Sequence, residues 1–264
     1  MHPMLNIAVR AARSAGALIV RYLERVDSLT VTTKQRNEFV SEVDREAEAI
    51  IIDTIHKAYP GHAVLAEESG GHGRHEYRWI IDPLDGTTNY LHGFPQFAVS
   101  IALEYRGRLD QGVIFDPLRQ ELFTASRGEG ARLDERRMRV SNRASLRDAL
   151  LGTGFPFRRL QDLDTYIATF RALVPRTAGV RRAGAAALDL AYVAAGRLDG
   201  FWEFGLEPWD MAAGVLMIQE AGGMVCDAAG GDAHLSTGDV IAGNPKVLRE
   251  MVKLIKPISE GRGA

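Results

Sequence analysis

The sequence predicts a globular protein that mixes helices and strands in two successive styles, and three observations carry that expectation. Apolar strands between residues 97 and 125 are joined through Arg106-Gly107-Arg108, a hairpin signal. From Leu150 onward, strand-like and helix-like segments alternate, the rhythm of an α/β layer. Helical periodicity opens and closes the chain, over 3–25 and 245–255. A length of 264 residues suffices for one large domain or two small ones with a substantial core.

Taken in order, Leu5, Ala8, Val9, Ala12, Gly16, Ile19 and Leu23 recur at helical spacing and mark an amphipathic packing helix. Leu29 to Lys34 alternates like a strand and leads into a polar loop, Gln35 to Glu38. Val43, Ala47, Ile50, Ile51, Thr54 and Ala58 form one face of a second helix, which Pro60-Gly61 stops. Asp44, near its start, fits a first-turn carboxylate favoured by the helix dipole. A short apolar strand, 63–66, ends in Glu67-Glu68-Ser69-Gly70, and paired acids in such a place are commonly solvated turn residues. The glycine-rich segment 70–77 reads as a mobile loop, with His72 and His75 facing solvent rather than ligating metal.

Strands follow at 97–105, 109–115 and 121–125. Gly128-Glu129-Gly130 lacks a third glycine and a following helix, so it reads as a turn and not as a nucleotide loop. Arg132, Arg136, Arg137, Arg139, Arg143 and Arg147, interrupted by Asp134 and Glu135, read as a solvated surface. A domain boundary is expected near 141–148, dividing 1–145 from 146–264. Beyond it come strands at 150–153, 178–182, 200–204, 224–226 and 240–242, with helices at 163–174, 185–196, 209–221 and 245–255, and a frayed tail over 256–264.

Lys plus Arg total 32 against 34 Asp plus Glu, so no global field points to nucleic acid or membrane. Cys226 is the only cysteine and forms no internal disulfide, which favours a reducing, cytoplasmic setting. The N-terminus has no signal-peptide pattern, and no apolar run is long enough to span a bilayer.

The chemistry concentrates in Trp79-Ile80-Ile81-Asp82-Pro83-Leu84-Asp85-Gly86-Thr87-Thr88-Asn89-Tyr90. Apolar residues run into an acid as a buried strand does when it delivers a side chain at its tip. Pro83, with no N–H to donate, is expected to stop the ladder. Asp82 and Asp85 then stand beside Gly86 and two threonines, small residues whose N–H groups and hydroxyls can face an anion. Hard oxygen ligands of this kind suit Mg2+. Farther on, Glu207-Pro208-Trp209-Asp210 opens a helix whose Ala212-Ala213-Gly214 permits close packing; Asp210 alone would be an ordinary cap. With Glu67, Asp82 and Asp85 it makes four carboxylates at the ends of elements.

These motifs, with Glu67-Glu68-Ser69 and the run from Arg182-Ala183-Gly184 to Leu188-Asp189, resemble the inositol monophosphatase family over nearly the whole chain, most closely bacterial members. The resemblance implies an α+β fold, a layered αβαβα sandwich of the sugar-phosphatase type. Residues 1–145 would be an α+β domain carrying most metal ligands, and 146–264 an α/β domain completing the site. It implies Mg2+ held by Glu67, Asp82, Asp85, Asp210 and the Leu84 carbonyl, with Thr87 and Asp44 orienting the attacking water and Glu67 coupled to it. Gly86 and Thr87 N–H groups would hold phosphate, while Asp85, Gly184, Ala185, Ala186, Glu203 and Asp210 would contact the substrate. The implied activity is metal-dependent, lithium-sensitive hydrolysis of myo-inositol 1-phosphate or a similar polyol phosphate, in a homodimer.

Two departures from the family pattern are visible. Glu38-Phe39-Val40-Ser41 stands where Asp-x-Val-Thr is usual, and Gly184-Ala185 where Gly-Ser or Gly-Thr is usual. A function of another class is also implied, because similar bacterial members are associated with antitermination on ribosomal RNA operons through the elongation factor NusA. The arginines of 132–147 and Arg181-Arg182 are the candidate contacts for such a scaffold.

Overall fold

The structure, a computed structural model, describes residues 2–23, 31–35 and 38–261, with 31–35 and 38–40 described in backbone only. Leu29 and Thr30 of the expected first strand, Arg36-Asn37 of its loop, and the end of the tail at 262–264 lie outside the described residues, as do the side chains of the departing Glu38-Phe39-Val40.

In chain order the elements are α1 (Pro3–Leu23), β1 (Val31–Gln35), β2 (Glu38–Ser41), α2 (Glu42–Ala58), β3 (Ala63–Ala66), β4 (Gly70–His72), β5 (Tyr77–Asp85), α3 (Thr87–Leu91), β6 (Ala98–Tyr105), β7 (Arg108–Asp116), β8 (Glu121–Ser126), β9 (Gly130–Leu133) and β10 (Arg136–Arg137). There follow β11 (Leu150–Thr153), α4 (Leu163–Leu173), β12 (Gly179–Arg181), α5 (Ala186–Ala194), β13 (Gly200–Glu203), α6 (Pro208–Glu220), β14 (Met224–Cys226), α7 (His234–Thr237), β15 (Val240–Gly243) and α8 (Pro245–Glu260). An eight-stranded sheet runs β10-β9-β8-β7-β6-β5-β3-β4, and a five-stranded sheet runs β12-β11-β13-β15-β14. In the first only β3 and β5 pair in parallel; in the second β11 lies parallel to both β12 and β13, and β15 antiparallel to its neighbours.

Five layers result, and the apolar residues explain their order. On β5, Trp79 and Ile81 point into the core beneath α1 and α2, whereas Ile80 points the other way, toward α5 and α6. Both faces of this sheet are covered, which is why its strands read as unbroken apolar runs instead of alternating. Helix α6 is buried from Asp210 through Ile218, so it has no solvent stripe and sits between the two sheets with α5. Phe201, Val240 and Ala242 of the second sheet join that same central core. Trp202 and Ile241 face outward, where Tyr166 and Leu173 of α4 and Val247, Met251 and Ile255 of α8 cover them. This is the αβαβα sandwich the family resemblance implies.

Three local expectations need correction. Pro83 does not end its strand: β5 continues through Asp85, pairing Asp82 with Ser100 and Asp85 with Ala98, so one extra residue bulges out between them. A bulge tolerates the missing N–H and turns the following acid toward its neighbour. Within the segment read as a mobile loop, Gly70–His72 forms β4 against β3, and His75 stacks on His62, with ring centroids 4.9 Å apart. Helix α8 runs on through Pro257 to Glu260, because a proline so near the C-terminal end interrupts little of the ladder. The hairpin at Arg106-Gly107 is as expected, with both residues at positive φ as a two-residue turn demands. Among the described residues, no helix is long and apolar enough to cross a membrane.

Candidate active site

The ends of β3, β5 and β13 and the starts of α3, α5 and α6 meet at one cleft of about 600 Å3. Carboxylate oxygens of Asp82, Asp85 and Asp210 lie within 4.8 Å of one another there, all three residues buried. Backbone N–H groups fix each of them. Leu84 N donates to Asp82 Oδ1 (3.0 Å), Ala187 N at the start of α5 to Asp85 Oδ2 (2.7 Å), and Glu207 N to Asp210 Oδ2 (2.7 Å) as part of the α6 capping box. Glu67 follows β3 and lines the same cleft, its N–H bonded to Ile81 O next to Asp82 (3.1 Å).

Crowding and burial show in the acidities. Removal from water, then the charges of Glu67, Asp85 and Asp210, push the Asp82 carboxyl well above its ordinary range. Asp85 rises to about 7, chiefly by burial and then by Asp210, against the pull of the Ala187 N–H and Arg158. Buried, crowded carboxylates of this kind need positive charge. Three hard oxygen donors within reach of one centre, each residue held by a backbone donor, fit a divalent cation such as Mg2+. The Leu84 carbonyl lies 3.0 Å from Thr87 Oγ1, and Leu84 lines the cleft beside the acids.

Thr87 stands in the first turn of α3, whose cap, Gly86, has φ +91°. A side chain at Gly86 would be strained by that φ and would bring its Cβ to 2.8 Å from Gln96 O. Thr87 Oγ1 lies 3.0 Å from Asp44 Oδ1 on α2. Asp44 does not line the cleft; it is fully buried and also accepts from the Ser41 N–H and hydroxyl. Burial raises its carboxyl, and the hydrogen bonds from Ser41 and Thr87 oppose that rise.

The other end of the cleft holds Glu203, at the end of β13, with Gly184 and Ala186. Ala185 is the N-cap of α5 and lies beneath the surface instead of lining the cleft. Gly154 lets Glu203 in: a Cβ there would fall 2.0 Å from its carboxyl group. Burial, then Asp210 and Asp189, raise the Glu203 carboxyl, and Arg182 opposes them. The Asn89 amide donates to the Ala183 carbonyl (2.9 Å), which ties α3 to the turn before α5.

Sequence reasoning missed the loop after β11. Phe155, Phe157 and Arg158 all line the cleft. Arg158 Nη1 meets Asp210 Oδ2 at 2.5 Å, and its Nη2 lies 3.8 Å from Glu67 Oε1. Arg159 points away and anchors the loop, donating to the Thr237 carbonyl at 2.6 Å. Both phenylalanine rings lie under the Arg182 guanidinium, 4.9 and 5.2 Å from their centroids. The available signal was Phe155-Pro156-Phe157-Arg158-Arg159 directly after a strand, since aromatics and cations on strand-end loops face ligands.

Layer order and acidic cleft together define a sugar-phosphatase-type fold with a carboxylate centre, and the chain belongs to the inositol monophosphatase family, whose sequence profile matches residues 1–260. It is 58% identical over 264 residues to the Nus factor SuhB of Pseudomonas aeruginosa, covering 97% of each chain. Among solved structures it is similar to the extragenic suppressor protein suhB from Bartonella henselae, with a TM-score of 0.94 and 47% identity over 97% of this chain and 99% of that one. It is also similar to an inositol monophosphatase from Anabaena, with a TM-score of 0.86 and 41% identity over 96% of this chain and 95% of that one.

Proposed function

We propose that the chain is an Mg2+-dependent phosphate monoester hydrolase acting on myo-inositol 1-phosphate or a similar polyol phosphate. The observation that carries this is the group of three buried aspartates, with oxygens within 4.8 Å of one another, lining a cleft that Glu67 and Thr87 also line. Glu67, Asp82, Asp85, Asp210 and the Leu84 carbonyl would hold the cation. Bound there, Mg2+ would acidify a water and neutralise charge on the phosphate and the departing alkoxide. The Thr87 hydroxyl, bonded to Asp44, would accept a hydrogen bond from the attacking water and relay its proton to the Asp44 carboxylate, whose affinity for protons burial has raised. Gly86 and Thr87 N–H groups face the phosphate. Glu203, Gly184 and Ala186 receive the alcohol.

Phosphate release from a panel of esters tests the assignment: myo-inositol 1-phosphate, fructose 1,6-bisphosphate, a nucleotide 3′-phosphate and histidinol phosphate, each with Mg2+ and with or without lithium. Lithium-sensitive turnover strongest on the inositol ester is expected. No release from any ester would refute the hydrolase reading.

The similarity to proteins named Nus factor SuhB favours a second role, that of a scaffold in antitermination on ribosomal RNA operons through NusA. Arg136 and Arg137 on the edge strand β10, with Arg139, are exposed and line a groove of about 620 Å3 that suits an acidic partner. Both roles can reside in one cytoplasmic homodimer. Capture of NusA by wild type and equally by Asp85→Asn supports the scaffold; no capture by either refutes it.

A further inference from the structure

Helix α2 buries two carboxylates four residues apart on one face, Asp44 and Glu48. Asp44 reaches Thr87, while Glu48 takes no part in the chemistry described above. Its side chain is 3% exposed, and its two oxygens accept from consecutive backbone N–H groups: Glu68 N to Oε2 at 2.8 Å and Ser69 N to Oε1 at 2.9 Å. These are the two residues immediately after Glu67. The Glu67 N–H is itself bonded to Ile81 O. Glu67 is therefore held from both sides, by the strand that delivers Asp82 and by a charge-assisted pair of bonds from α2.

We infer that Glu48 is a positioning residue for Glu67: its carboxylate clamps the backbone of residues 68 and 69 so that the Glu67 side chain meets the cation in register with Asp82. The inference rests on the metal reading proposed above. A glutamine at this position offers one acceptor where two are used and turns an N–H2 toward the other backbone N–H. An aspartate keeps the charge and withdraws both oxygens by a methylene. Removing groups that orient metal ligands typically weakens metal affinity by roughly 10- to 100-fold.

Calorimetric titration of the full-length protein with Mn2+ tests this, for wild type, Glu48→Gln, Glu48→Asp and, as a charge control, Asp53→Asn. Asp53 is an exposed carboxylate on the same helix, paired with Lys57. At least about 10-fold weaker binding is expected for Glu48→Gln. Weaker binding is also expected for Glu48→Asp, although its charge is intact, and unchanged binding for Asp53→Asn. Melting in metal-free buffer identifies which variants are folded, and if Glu48→Gln fails to fold, Glu48→Asp carries the same test. Wild-type affinity in either folded Glu48 variant overturns the clamp. Absence of Mn2+ binding by wild type would overturn the metal reading itself, a separate outcome.

Discussion

The two ends of the cleft are built differently. At the acidic end each of the three aspartates comes from a strand end or a helix start and is tied by a backbone N–H group, so its position follows from the sheets and helices themselves. At the other end Phe155 and Phe157 come from a loop, with the two rings 39% and 41% exposed and held under Arg182, while Arg158 of the same loop reaches back to Asp210 and Glu67. Sites on regular elements are positioned more narrowly than sites on loops. On the function proposed above, the difference would give reaction to the rigid end and choice of alcohol to the adjustable one.

The largest effect expected from breaking that division is Asp85→Asn. It should keep the fold and lower turnover by more than the roughly 10- to 100-fold that loss of a ligand's outer partners costs; steady-state phosphate release checks it. Next comes a pH effect peculiar to the acidic end. Because burial and Asp210 push the folded Asp85 carboxyl up to about 7, far above an ordinary aspartate, the native state holds a proton that the unfolded chain has released between those pH values. Stability without divalent cation should therefore fall as pH rises from about 4 to about 7, with Asp82, also raised, adding to the fall. Saturating Mg2+ should flatten the profile. Melting temperature against pH, with and without Mg2+, measures it.

A smaller effect sharpens the comparison from the other side. Gly154→Ala should displace Glu203, raising KM for the polyol ester by about 10-fold, a free-energy change of about 1.4 kcal/mol, with little change in kcat or Mg2+ dependence. Steady-state kinetics separate the two constants. The smallest expected effect on hydrolysis is that of the double variant Arg136→Glu, Arg137→Glu, both exposed on the far edge of the eight-stranded sheet. It should leave turnover unchanged and weaken capture of NusA.

What was legible in the chain followed the same divide. Trp79 to Tyr90 could be read because strand and turn chemistry are local, whereas Glu67 and Asp210, by themselves a turn acid and a cap, gained meaning only from the family resemblance that the ordered acidic motifs carry. The bulge at Pro83 could not, since a missing N–H predicts an interruption but not whether the strand resumes. Glu48 was invisible as a functional group because its partners lie 20 and 21 residues away and are backbone N–H groups, which leave no mark in side-chain patterns. Gly154 and Arg158 escaped for the related reason that their importance lies in contacts with Glu203 and Asp210, about fifty residues downstream. The central layer was misleading in another way: α6, buried all round, shows no amphipathic stripe to reveal which sheet it faces.

The account's central claim is that the aspartate cluster works through a divalent cation. Phosphate release from myo-inositol 1-phosphate by the chelated protein, followed as Mg2+ is added back, tests it most directly. The expected result is no release in chelator and full recovery on saturation with Mg2+; undiminished turnover in chelator would contradict it.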